Sequence, residues 1–175
     1  MCETISLQNL EIPLNRDYFL RSLIRELAGT LEQVVGYEEA AGYISLVGQN
    51  IGNWINGLYK KELGVPTLSG EQVVKVLIDL KRRINGNFSL VSLDNEKIIF
   101  KNTACPFEEM VVDRPSICMM TSNVFGVISA NNLGYAKVSL EKTIARRCSG
   151  CKVVVYLQST PATEEAEGRE YYSAV

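Results

Sequence analysis

The sequence predicts an α+β domain in which N-terminal helices pack on an antiparallel sheet. Three observations carry this reading. Apolar residues recur at three- and four-residue steps from Tyr18 to Ile84, the spacing of amphipathic helices. The dipeptide-rich turn Asp94-Asn95-Glu96 separates two alternating runs, a hairpin signal. The second half ends in Val153-Val154-Val155-Tyr156-Leu157, whose β-branched residues suit a strand. Helices and strands are therefore segregated along the chain, which favours an antiparallel sheet over βαβ units.

The elements follow in order. An extended arm over residues 1–14 ends at Pro13, and Asn15 caps the first helix with Asp17 in its first turn. Tyr18, Phe19, Leu20, Leu23, Ile24, Leu27, Leu31, Val34 and Val35 give that helix its apolar stripe, and Gly36 stops it. A second helix is expected over 38–63, with Ala41, Ile44, Val47, Ile51, Trp54, Ile55 and Leu58 as its apolar set. Gly42, Gly48, Gly52 and Gly57 punctuate it, each costing about 1 kcal/mol against Ala. Such spacing suggests that another backbone packs closely there. After the break at Gly64-Val65-Pro66, Ser69 and Gln72 have capping-box spacing and open a third helix that ends near Gly86. Phe88, Leu90 and Leu93 alternate before the turn, and Ile98 and Phe100 after it. A cysteine-bearing loop over 103–115 leads through Pro115 into a helix over 116–132, stopped by Gly134. Residues 135–140 alternate as a strand. From Ser159 the text turns polar and acidic, and a disordered tail is expected over 159–175.

Composition sets outer limits. With 175 residues, 46% of them hydrophobic, the chain has the size and content of one folded domain, expected over 15–158. A net charge of −2 gives no general attraction to nucleic acid or anionic membrane. The basic runs Lys81-Arg82-Arg83 and Arg146-Arg147 read as solvated helix ends. No apolar run approaches the roughly 20 residues that span a bilayer. Glu3 stands where a signal peptide has bases, so a cytoplasmic location is expected, where thiols stay reduced.

The chain has no histidine, which removes the usual general base and excludes a serine triad on Ser116 or Ser122. Metal or redox chemistry must then run through sulfur. Of five cysteines, Cys2 stands alone, Cys105 and Cys118 flank one loop, and Cys148 and Cys151 form a Cys-x-x-Cys step. An odd count argues against a disulfide framework. Cys105, Cys118, Cys151 and Cys148 are candidate ligands of zinc or an iron–sulfur cluster, with Glu141 or Glu108 as alternatives for the fourth. The bland alternative is four reduced thiols packed as small hydrophobes. A redox dithiol at Cys148 and Cys151 is the other, although Cys151 opens a strand and not a helix. Trp54, Tyr43, Phe19 and Phe125 are candidates to line an apolar pocket between helices and sheet, and equally suit a core.

Several runs in order resemble a known family: Cys105-Pro106-Phe107; Arg114-Pro115-Ser116-Ile117-Cys118 through Phe125-Gly126; Asn132-Leu133-Gly134-Tyr135-Ala136; Thr143-Ile144-Ala145; and Cys151-Lys152-Val153 through Leu157. Together with Tyr18-Phe19-Leu20-Arg21 and Val76-Leu77-Ile78-Asp79-Leu80, they are similar to the methanogen output domain, a relative of 4-vinyl reductase sensory domains. The resemblance covers residues 15–158. It implies the fold shared by vinyl-reductase, haem nitric-oxide-binding and Golgi-transport domains, commonly a homodimer. It implies a sensory or output module in signalling and transcription control, not an enzyme. Related sensors hold zinc through cysteines and a glutamate beside a small-molecule pocket; there Cys151 matches the last cysteine ligand, and Cys105 and Cys118 match the family's own pair. The chain departs where the family has Gly-Asp-Pro-Gly, having Arg147-Cys148-Ser149-Gly150 instead, so Cys148 stands where an acid is expected. The expected partners are a second copy, a signalling or transcription partner protein and a small apolar ligand, with no direct nucleic-acid contact. A thiol redox protein and a metal-free scaffold are the alternatives.

Overall fold

The architecture comes from a computed structural model that describes residues 11–173; Cys2 and most of the expected arm lie outside the described residues. Helix α1 spans Arg16–Val35, its Asn15 cap accepting from the Tyr18 N–H at 2.8 Å. Helix α2 spans Tyr37–Leu63 and ends at Gly64 in the left-handed conformation. Helix α3 spans Gly70–Arg83 behind the Ser69/Gln72 capping box. Strands β1 (Phe88–Leu93) and β2 (Lys97–Asn102) form the hairpin. Asp94 tightens its turn by accepting from the Glu96 and Lys97 N–H groups, both at 2.8 Å. Helix α4 spans Cys118–Leu133, strand β3 Tyr135–Lys142 and strand β4 Cys151–Tyr156.

All strand pairs are antiparallel, in the order β1-β2-β4-β3-β5, where β5 is Arg169–Tyr172. Helix α4 lies against the sheet and is itself covered by α2, so it is buried nearly all round. Its Phe125 sits edge-on to Phe88 and Phe100, with ring centres 5.3 and 5.4 Å apart. The close backbone approach expected on α2 occurs at two of its four glycines. A Cβ at Gly48 would lie 2.8 Å from Cβ of Asn123, and one at Gly52 would lie 3.1 Å from Cβ of Val127. Gly42 and Gly57 face open space. Among the described residues no helix is long and apolar enough to cross a membrane.

The expectation of a disordered tail is corrected by the structure. Residues Pro161–Glu165 form a short helix, α5, capped by Thr160, and Arg169–Tyr172 form an edge strand, β5, on β3. Tyr171 enters the core over Gly126, where a Cβ would clash with the ring at 2.1 Å, and its hydroxyl meets the Ser122 hydroxyl at 2.9 Å. Helix α5 also satisfies a buried charge on β3: the Lys137 ammonium donates to the carbonyls of Thr163 and Glu164 at 2.7 and 3.2 Å.

Candidate functional site

A largely apolar pocket of about 550 Å³ opens between the helices, the end of the sheet and the loop after β2. Ile24 of α1, Ile51, Trp54 and Ile55 of α2, and Met120 and Val124 of α4 supply its apolar walls. Cys105, Cys118 and Cys151 reach it from three different places. Cys105 follows β2, Cys118 opens α4 just after the turn Pro115–Ile117, and Cys151 opens β4. Asn102, paired in register with Cys151, organises this corner. Its side-chain oxygen accepts from the N–H groups of Asn87 (3.1 Å) and Ala104 (3.2 Å), and its amide nitrogen points at the Cys151 sulfur at 3.8 Å. The Ile144 N–H donates to the same sulfur at 3.5 Å.

The fourth functional group is one the sequence hides. Lys81 lies only 5% exposed inside the pocket, although its neighbours Arg82 and Arg83 are exposed as expected. The reading of residues 81–83 as a uniformly solvated helix end is thus corrected at Lys81. Helical phase explains it: Val73, Leu77 and Lys81 follow one another at four-residue steps on the buried face of α3. The ammonium donates to the Thr121 hydroxyl at 2.7 Å and lies 5.3 and 5.4 Å from the ring centres of Phe88 and Phe125. Burial lowers its pKa to about 8, against the pull of the three nearby sulfurs. Burial likewise raises the Cys105 thiol, and raises Cys118 to about 12 with Cys105 and Cys151 adding to the effect. At neutral pH these two cysteines are thiols, not thiolates.

The structure brings Cys105, Cys118 and Cys151 to one pocket, and Cys148 is not part of its wall. All four are free thiols. The alternative carboxylates are engaged elsewhere, Glu141 with Lys152 at 2.6 Å and Glu108 with Arg21 at 2.7 Å. Among the described residues no three Cys, Asp or Glu side chains are placed to hold a metal ion together. A metal centre at these sulfurs would have to draw them together beside the buried ammonium and displace their protons. Of the four aromatic candidates, Trp54 lines the pocket and Phe125 lies in the core beneath Lys81. Phe19 and Tyr43 instead stand on the outer surface, so their expected place in the pocket is corrected.

That outer surface is itself apolar. Phe19, Leu20, Leu23, Leu27 and Val34 of α1, with Tyr43, Leu46, Val47 and Trp54 of α2, are all exposed, Trp54 by 63% and Leu27 by 56%. The stripe that predicted the helices thus faces outward over much of its length. Helix α1 is also tied to the cysteine loop: Arg25 donates to the carbonyls of Met110 and Val112, the latter at 2.9 Å.

A family model described as methanogen output domain 1 matches residues 23–156. The fold is similar to the crystal structure of the phenol-responsive sensory domain of the transcription activator PoxR, solved with phenol. The TM-score is 0.61 at 13% identity, covering 87% of this chain and 83% of that one. It is also similar to trafficking protein particle complex subunit 3 from Naegleria fowleri, solved covalently bound to palmitic acid. There the TM-score is 0.60 at 10% identity, covering 82% of this chain and 95% of that one. No curated protein matches the chain.

Proposed function

Because the chain belongs to the methanogen output domain 1 family, we propose that it is a sensory or regulatory module, without catalysis of its own, that takes a small apolar molecule into the pocket beside Lys81 and the three cysteines. The observation that carries this is the shared use of Ile24 and Trp54: both line the pocket and both belong to the exposed apolar face of α1 and α2. A ligand that moves them changes the surface offered to a partner, which is how a binding site biases an output. The PoxR sensory domain, seen with phenol, supports a pocket ligand on this fold. The module would act in the cytoplasm on a signalling or transcription partner protein, and reach nucleic acid only through that partner.

Trp54 is the sole tryptophan, so intrinsic fluorescence reports on the pocket directly. Titration with phenol, benzyl alcohol and 1-octanol is expected to shift Trp54 emission saturably and to raise the melting temperature. If none of the three does either, the pocket reading falls.

The apolar face is proposed to pair with a second copy, since apolar patches of this kind mark interfaces. The native chain is then expected to sediment as a dimer. Leu27→Glu, outside the pocket, should weaken the dimer by roughly 30-fold or more, the loss expected of a hot-spot side chain worth about 2 kcal/mol. A native chain that sediments as a monomer at high concentration would refute the pairing.

The convergence of three thiols favours one second reading, zinc or an iron–sulfur cluster on Cys105, Cys118 and Cys151. It requires the sulfurs to close together and lose their protons. Metal analysis of protein purified without air decides it: stoichiometric metal that disappears in Cys151→Ser supports this reading, and metal-free native protein removes it.

A further inference from the structure

The two buried lysines of this chain are treated differently. Lys137, 6% exposed, has its charge met by two backbone carbonyls at the end of α5. Lys81, 5% exposed, has a single hydroxyl, that of Thr121. An ammonium carries three N–H donors, so two of them have no hydrogen-bond acceptor among the described residues and meet only the ring faces of Phe88 and Phe125 nearby. No carboxylate stands in for it. Asp17 and Glu108, the two acids on the pocket wall, are both bound by Arg21, at 2.9 and 2.7 Å. The other lining cation, Arg83, is matched by Asp79 at 2.6 Å. Lys81 is therefore the cation of the pocket that lacks a counter-ion.

We infer that the ligand of this pocket is an apolar molecule bearing one carboxylate, which pairs with the Lys81 ammonium and lays its hydrocarbon part along Ile24, Ile51 and Trp54. The inference rests on the reading of the pocket as a small-ligand site and adds the chemical class of the ligand. A buried charge without a partner is costly, and a carboxylate arriving from outside converts that cost into a charge-assisted hydrogen bond. The surrounding groups suit an anion. The Thr121 hydroxyl, which accepts from the ammonium at 2.7 Å, has its own proton free to donate to the same anion. Asn102 and Thr143 are occupied with the backbone, Asn102 at the N–H groups of Asn87 and Ala104 and Thr143 at that of Arg146, which leaves recognition to Lys81.

The test compares matched pairs on the intact chain: benzoate against benzyl alcohol, and octanoate against 1-octanol, followed by Trp54 fluorescence and calorimetry. Each acid is expected to bind roughly tenfold or more tightly than its alcohol, as a charge-assisted bond provides. Lys81→Met, close in length and apolar, should abolish the preference and still bind the alcohols. Alcohols that bind as tightly as the acids overturn the carboxylate inference and leave the pocket reading standing, as does a preference that survives Lys81→Met. Failure of all four probes to bind overturns both. The native comparison alone suffices should the variant not fold.

Discussion

Tyr171→Ala is expected to destabilise the fold by about 3–5 kcal/mol, the range for deleting a buried aromatic ring. The residue is 8% exposed, although it follows an acidic stretch near the C-terminal end of the sequence. Its ring fills space that α4 leaves by having glycine at 126, where a Cβ would come within 2.1 Å of the ring. The deletion therefore leaves a cavity that the rigid α4–sheet interface cannot close. It also leaves the buried Ser122 hydroxyl without its 2.9 Å partner. Tyr171→Phe isolates that second part and should cost about 1 kcal/mol, the net worth of one hydrogen bond. Urea unfolding of the two variants measures both. Removal of residues 159–175 goes further. It strips β5 from β3 and takes away the two carbonyls that hold Lys137, so it should abolish cooperative unfolding. Unchanged stability in Tyr171→Ala, or a truncated chain that unfolds like the native one, would show that β5 is not part of the core.

The sequence displays what local spacing governs. Helices α1 to α3 were legible because their apolar steps, the Asn15 cap, the Ser69/Gln72 capping box and Gly64 act within a few residues. The hairpin was legible because Asp94 closes its turn with its own side chain. Strand β5 was not, because what stabilises it is pairing with β3 more than thirty residues earlier, and Arg169–Tyr172 has only four residues in which to show alternation. An aromatic pair, Tyr171-Tyr172, inside acidic text was the available signal. The convergence of Cys105, Cys118 and Cys151 came from the family resemblance, since their spacing fits no standard finger. Lys81 was hidden by its own neighbours: a basic triplet reads as solvent-facing, yet the three residues point 100° apart around a helix and only Lys81 falls on the side of Val73 and Leu77. Phe19 and Tyr43 erred in the opposite direction. A stripe of apolar residues announces a helix with an apolar face, and does not say whether that face meets the core or another chain.

Lys81→Met is expected to stabilise the ligand-free protein at neutral pH by about 2 kcal/mol, an unusual sign for a change at a buried site. A pKa lowered from 10.5 to about 8 means that folding holds the charged form at a cost of about 3 kcal/mol. The faces of Phe88 and Phe125 return about 1 kcal/mol of this. The pH dependence fixes the cause. Below about pH 8 Lys81 is protonated in both folded and unfolded chains, and the whole cost is present. Between about 8 and 10.5 the folded chain sheds the proton while the unfolded chain keeps it, so the native protein gains on the variant as pH rises. Cys105 and Cys118 have the opposite sign: their raised pKa values make the unfolded thiols ionise first, and both proteins lose stability together at alkaline pH. Lys81 itself pulls both thiols down, so the variant loses somewhat more of this at alkaline pH than the native protein, in the same direction as the lysine's own titration. Urea unfolding at pH 7 and pH 10 should show the gap in favour of Lys81→Met shrinking toward zero. A native protein more stable than the variant at pH 7, or a gap that stays constant, would mean that the ammonium already has a partner in the folded chain. A shrinking gap would instead mean that the fold carries an unpaired charge at its own expense, which is the state a carboxylate ligand would relieve.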